Sequence, residues 1–204
     1  MDLFTLAAPI FDLAMKISGH DRVLVELGDR IIRDEKEIEN KNSEIRRTLL
    51  DLGGGTGELV NYLPDSLEVT IADPSEAMLQ KGKAKDFLQP VEHVLADGAD
   101  LPFADNSFDY LTISDALHHF RQVNSALEEA ARVLKPGAKI YILEFDPETV
   151  FTKIIIFFER LAGEPVNFYR PEKLSEMMSK NGLKTRHEYL NKSLYIMCAE
   201  KPLQ

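Results

Sequence analysis

The chain has a single cysteine, Cys198, which excludes an intramolecular disulfide and a cysteine-based zinc site. Its neighbours Leu194-Tyr195-Ile196-Met197 predict a buried strand thiol. Long apolar runs are missing, and the apolar clusters fall far short of the roughly 20 residues a membrane span needs. Basic charge is also scarce: 24 Lys and Arg face 34 Asp and Glu, for a formal net charge of −10 over 204 residues. A surface that follows a nucleic-acid backbone carries the opposite sign, and the one basic cluster, Arg46-Arg47, is too short to supply it. Asp2 and the absence of early positive charge speak against a secretory signal. The expectation is a cytoplasmic globular protein whose acidity serves solubility. The length suits one domain with a small appendage.

What is present is a strict alternation. Residues 1–47 hold no strand: apolar residues from Leu3 to Ile17 recur at helical spacing, and a second helix is expected from Val23 to Arg33. The charge-rich stretch Asp34 to Arg47 reads as a solvated helix end and connector. Strands are then expected at Thr48–Leu52, Leu67–Ala72, Val91–Leu95, Phe108–Ser114 and Lys139–Phe145. A short helix from Glu58, one opened by Pro74 or Ser75, and a clear one from Val123 to Leu134 stopped by Pro136-Gly137 lie between them. Alternating strands and helices predict a parallel sheet covered on both faces. The tail changes character. Val150–Leu161 is apolar and reads as a helix or a loop over the sheet edge, Pro171 opens a helix that Asn181-Gly182 ends, and strands Thr185–Leu190 and Leu194–Glu200 form an antiparallel hairpin.

The organising stretch is Leu49-Leu50-Asp51-Leu52-Gly53-Gly54-Gly55-Thr56-Gly57-Glu58. It reads as a buried strand, a tight turn and a helix start. Glycine lets a ligand approach the backbone, and N–H groups at a helix start favour a polar or anionic one. The dinucleotide pattern G-x-G-x-x-G fits at Gly53 and Gly55 but meets Glu58 at its third glycine, with Gly57 one residue early. Asp73 stands about 20 residues after Gly53, where an acid can accept both ribose hydroxyls, although an N-cap aspartate also suits that position. His118 and His119 follow the fourth strand, where open α/β sheets bind ligands. They are candidates for a general base or for orienting a nucleophile, against the plainer reading of a ring packed on the next loop. His20, His93 and His187 are scattered, and Asp100, Asp105 and Asp109 read as solvated loop acids, so no metal site is expected.

The glycine stretch resembles the first motif of the class I S-adenosylmethionine-dependent methyltransferases. Other segments continue the resemblance: Ala96-Asp97-Gly98-Ala99, Leu101-Pro102-Phe103, Asn106-Ser107-Phe108-Asp109 and Arg132-Val133-Leu134-Lys135-Pro136-Gly137. It covers about residues 48–200. It implies an α/β fold with a Rossmann-like, seven-stranded, mostly parallel sheet, a C-terminal antiparallel hairpin, helices on both faces, and residues 1–47 as an N-terminal helical lid and connector before a methyltransferase domain at 48–204. It implies S-adenosylmethionine as cofactor, with S-adenosylhomocysteine as product. Asp51, Gly53, Gly55 and Gly57 would hold the methionine end and ribose, Asp73 the ribose, Met78 the adenine face, and Asp97 with Gly98 or Ala99 the adenine edge, with Ser114 beside them. The implied partner is a small methyl acceptor, with no nucleic acid and no membrane span. The run Ala8-Pro9-Ile10-Phe11-Asp12 is similar to the ubiquinone/menaquinone-biosynthesis C-methyltransferases, but Phe11 stands where tyrosine is usual and His118-His119 where those carry arginine-asparagine. The other two readings are a non-catalytic S-adenosylmethionine-binding regulator and an NAD-dependent oxidoreductase.

Overall fold

The structure is a computed structural model and describes residues 20–39 and 46–203. The helical run expected before Ile17 and part of the connector lie outside the described residues. Helix α1 spans His20–Glu39. The strands are β1 Arg47–Leu52, β2 Leu67–Asp73, β3 Val91–Leu95, β4 Phe108–Ser114, β5 Leu134–Phe145, β6 Lys184–Tyr189 and β7 Leu194–Glu200. Between them lie helices α2 Glu76–Lys83, α3 Val123–Val133, α4 Val150–Ala162 and α5 Pro171–Lys180, with short 3₁₀ turns at Leu59–Tyr62 and Leu117–His119.

The strands form one sheet in the order β3-β2-β1-β4-β5-β7-β6. The first five are parallel, and β7 runs antiparallel to both β5 and β6. Chain order reverses between β1 and β4, which opens a crevice at their carboxyl ends. Both faces of the central strands are buried, as helices on both sides require. Leu50, Leu111 and Ile140 face α3 and α5 in one core cluster. Leu49, Ile71 and Tyr141 face the other cluster, which holds Leu27 and Ile31 of α1 and Ile155 of α4. The β6–β7 turn is pinned by Asn191, whose Oδ1 accepts the N–H of Ser193 and Leu194 at 2.8 and 2.9 Å.

Two local expectations change and a third is decided. First, α1 runs to Glu39, and Asp34 and Glu35 are buried rather than solvated: Asp34 accepts Lys139 Nζ at 2.6 Å and the Tyr141 hydroxyl, while Glu35 pairs with Arg47 at 3.4 Å. The helix packs on the sheet so that Asp34 reaches Lys139 and Tyr141 in the middle of β5. Second, Pro136-Gly137 does not separate α3 from β5. The helix ends at Val133 and the strand starts at once, with the proline and glycine inside an irregularity opposite Phe108/Tyr110 of β4, a place where a strand tolerates proline. Lys201 Nζ caps the helix by donating to the carbonyls of Ala131 and Leu134 at 2.8 and 2.7 Å. Third, Val150–Ala162 is a helix that buries Ile155 but leaves Val150, Ile154, Phe157 and Leu161 exposed along one stripe. None of the helices among the described residues is long and apolar enough to cross a membrane.

Helix α1 approaches the Leu59–Tyr62 turn at Gly28, where a Cβ would stand 2.3 Å from the Tyr62 carbonyl oxygen. Alanine normally favours a helix interior over glycine by about 1 kcal/mol. Here the clash with backbone decides the sign. Gly28→Ala is expected to lower the urea midpoint of unfolding; a raised midpoint would show that α1 is not held against this turn.

Candidate functional site

The crevice begins where β1 runs into its glycine turn. Gly53, Gly55 and Gly57 have φ of 74, 55 and 76°, a region that side chains with a Cβ seldom adopt. Close packing adds to the demand at Gly53, where a Cβ would stand 2.7 Å from Ala116 Cβ and 3.2 Å from Phe120 Cε1. Gly54 leaves room for the Asp51 carboxylate, 2.4 Å from the position its Cβ would take. The turn does not lead into an α-helix. Only the four-residue 3₁₀ turn Leu59–Tyr62 follows, with Leu59 and Val60 buried. The expected helix start, and with it a dipole directed at an anion, is therefore absent from this position.

Asp73 closes the turn from β2. Its Oδ2 accepts the Gly55 N–H at 3.0 Å and its Oδ1 accepts the Ser75 N–H at 2.8 Å. Each oxygen retains lone-pair capacity for a ligand hydroxyl. The cap of α2 is Ser75, which accepts the Met78 N–H, so Asp73 is not the N-cap residue. Met78, more than a third exposed, lies over the turn with its Cε 3.3 Å from the position of a Gly55 Cβ. Asp97 is exposed, and its Oδ1 accepts the Ala99 N–H at 2.9 Å. Phe120 links the two loops, since its ring also lies 3.1 Å from a Cβ placed on Gly98. Ser114 sits half-buried at the end of β4. Asp73, Met78 and the glycine turn thus lie together, and Phe120, which touches both the Gly53 and the Gly98 loops, was not singled out from the sequence.

Asp51 is buried on β1 and accepts the Thr112 hydroxyl at 2.8 Å. Burial pushes its pKa up to about 6, against the Thr112 hydrogen bond and with help from the Asp73 charge. A cationic ligand group in the crevice would favour the ionised form.

His118 and His119 part ways. His118 is buried, its ring stacked on Phe168 at 4.1 Å between centroids. Its Nδ1 lies 2.9 and 3.0 Å from the oxygens of Glu144, and its Nε2 lies 3.5 Å from Oε1 of Glu159. Burial pulls the His118 pKa down, but Glu144, Glu159 and Asp115 outweigh it and hold the pKa well above the usual value. His119 is exposed, and desolvation together with the neighbouring His118 charge lowers its pKa. Asp115 has a left-handed φ of 53°, and burial pushes its pKa up to about 7. Sequence reading missed Glu144 and Glu159. The signal was an acid inside the apolar strand Ile140–Phe145 and another inside the apolar helix α4. Asp105 and Asp109 serve structure, pairing with Arg132 and Lys135 at 2.8 Å each. A cavity of about 310 Å³ beside Phe120 is lined by Arg121, Gln122, Asn124, Asn167 and Tyr169 and contains none of the expected site residues.

The fold is a Rossmann-like α/β sheet, and residues 50–142 match the methyltransferase-domain family. Among curated proteins, the chain is 36% identical over 162 residues to the ubiquinone/menaquinone biosynthesis C-methyltransferase UbiE of Klebsiella pneumoniae. That alignment takes in 74% of this chain, and the chain spans 61% of the relative's length. Against the UbiE protein of Rickettsia felis the identity is 36% over 57% of this chain and 50% of the relative. Among solved structures, a SAM-dependent methyltransferase from Aquifex aeolicus aligns at 21% identity, 82% of this chain and 88% of that one, with a TM-score of 0.61. The [4+2]-cyclase SpnF aligns at 18% identity, 78% of this chain and 75% of that one, with a TM-score of 0.65. The resemblance read from the motifs is borne out, as is the seven-stranded fold. SpnF shows that one fold carries different named chemistries, so the reaction has to be argued from the site.

The Asp51 shift gives a pH prediction. Its folded pKa lies above the unfolded value of 3.8, so its contribution is full below about pH 4 and is lost as pH rises through about 6. The difference corresponds to about 3 kcal/mol. Stability of the unliganded wild type relative to Asp51→Asn should fall by that order between pH 4 and 7, as read by urea unfolding at each pH. A difference that stays constant across this window would contradict the burial argument.

Proposed function

We propose that the chain transfers the methyl group of S-adenosylmethionine to a small, hydrophobic acceptor. The observation that carries this reading is the combination of a ribose-type acid, Asp73, tied to a positive-φ glycine turn, with no helix N-terminus behind it to receive a pyrophosphate. A nucleoside cofactor without phosphates suits such a crevice, whereas NAD needs the missing helix end. When bound, the cofactor supplies an activated methyl group whose leaving group is S-adenosylhomocysteine.

The chain's own residues hold and orient. Asp73 is assigned to the ribose hydroxyls, Asp51 with Gly53, Gly55 and Gly57 to the methionine end, Met78 to the adenine face, and Asp97 with Gly98 or Ala99 to its edge; Ser114 borders the crevice. Alignment of an acceptor with the methyl group provides most of the rate in such a transfer. His118 and His119 are assigned to the acceptor side, and the exposed His119 is the ring that can meet an acceptor directly. The exposed apolar stripe of α4 supports a hydrophobic acceptor. The UbiE likeness supports C-methylation of a quinol-like ring, with Phe11 and His118-His119 as the departures. The net charge of −10 supports a small-molecule partner over a nucleic acid, and a cytoplasmic location is part of the same proposal. Within the 1–47 segment expected as a lid and connector, α1 is packed in the core through Leu27 and Ile31.

Calorimetric titration tests the cofactor. S-adenosylhomocysteine should bind the wild type, and Asp73→Ala should weaken it by about 10–100-fold, the loss expected for hydrogen bonds to a charged acceptor. Binding of NAD in preference to S-adenosylhomocysteine would contradict the proposal.

A further inference from the structure

We propose that the chain binds one divalent first-row transition-metal ion, with Zn²⁺ the best fit, on His118 Nε2, a ring nitrogen of His119 and a carboxylate oxygen of Glu159. Ligand atoms from these three residues lie within 4.8 Å of one another. Nitrogen and oxygen ligands on a tetrahedral zinc ion stand about 3.3–3.5 Å apart. His118 Nε2 and Glu159 Oε1 already have that spacing, at 3.5 Å.

Glu159 carries the inference. It is more than nine-tenths buried, and among the described residues its Oε1 meets only the His118 ring, at 3.5 Å, while its Oε2 has no hydrogen-bond partner. A desolvated carboxylate left in this condition is costly, and such groups are normally paired or metal-bound. The second observation is the orientation of His118. Glu144 occupies Nδ1 and is itself held by the N–H groups of Phe145 and His118 at 2.8 and 3.2 Å. That leaves Nε2 directed at Glu159, the carboxylate–histidine–metal arrangement. Charge points the same way. Two buried carboxylates, Glu144 and Glu159, face one buried imidazole, with Asp115 adding a third acid beside it. A divalent ion offsets this excess.

The ligand set selects the kind of ion. Two imidazole nitrogens and one carboxylate suit zinc and its first-row neighbours, whereas magnesium and calcium prefer all-oxygen sites. Three protein ligands leave a position for water or an oxygen of a bound compound. The exposed His119 gives the ion a way in. The site shares His118 and His119 with the acceptor side of the proposed reaction, but metal binding does not require methyl transfer to be correct.

The full chain, treated with chelator and dialysed, would be titrated with Zn²⁺ by calorimetry and with Co²⁺ by visible absorption. The expected result is one saturable site per chain, weakened at least tenfold in Glu159→Gln and in His119→Ala and unchanged in His187→Ala on the exposed strand β6. No saturable binding by the wild type overturns the proposal. Because Glu159 is buried, its substitution could unfold the chain; His119→Ala replaces an exposed ring, and unchanged affinity in that variant, with far-UV circular dichroism intact, overturns the proposal by itself.

Discussion

Two backbone N–H groups donate to one carboxylate, Asp73, from both sides of the crevice: Gly55 from the turn after β1 and Ser75 from the start of α2. That acid ties the end of β2 to the glycine turn and sets where a ligand can lie. The turn fits because Gly53, Gly55 and Gly57 take left-handed conformations there. The sheet explains the location. Strand order reverses between β1 and β4, so the loops leaving them diverge and open the carboxyl ends of the strands. Phe120 then closes the floor between Gly53 and Gly98.

Beyond the end of β4 the design reverses. The crevice around Asp73 is built from backbone N–H groups and small residues, whereas the His118 neighbourhood is built from opposed side-chain charges. Glu144 comes from β5, Glu159 from α4 and Asp115 from the β4 end, so three elements hold charge against one ring. Such buried networks are costly unless every member is satisfied. Most of this one is satisfied. The Glu159 carboxylate is the least satisfied member: its Oε1 meets His118 Nε2 only at 3.5 Å, and its Oε2 has no hydrogen-bond partner.

Much of the fold was legible because both faces of the sheet are buried and the periodicity is strong. β3, β4 and β7 have the boundaries that their apolar pattern predicts, and the Asn191 turn announces the hairpin. Asp73 and the glycine residues were legible because their constraint is local: a turn spelled out in consecutive residues, and an acid at the end of the next strand. What failed to read was long-range. Pro136-Gly137 looks like a stop in any local window, and only the irregularity in β4 shows that the strand passes through it. Asp34 and Glu35 look solvated until α1 is laid over β5. Glu144 and Glu159 each sit in an apolar segment, and nothing local reveals that both turn toward His118. The 3₁₀ turn after Gly57 also defeats the pattern, since Leu59 and Val60 fit a helix equally well.

The central claim is that the crevice around Asp73 and the glycine turn holds the nucleoside of S-adenosylmethionine. The most direct measurement is a crystal structure of the chain with S-adenosylhomocysteine. The account predicts that the ribose hydroxyls lie on the Asp73 carboxylate, with the methionine end beside Asp51 and the glycine turn. Density for the ligand at any other place on the molecule, or a ribose turned away from Asp73, would contradict it.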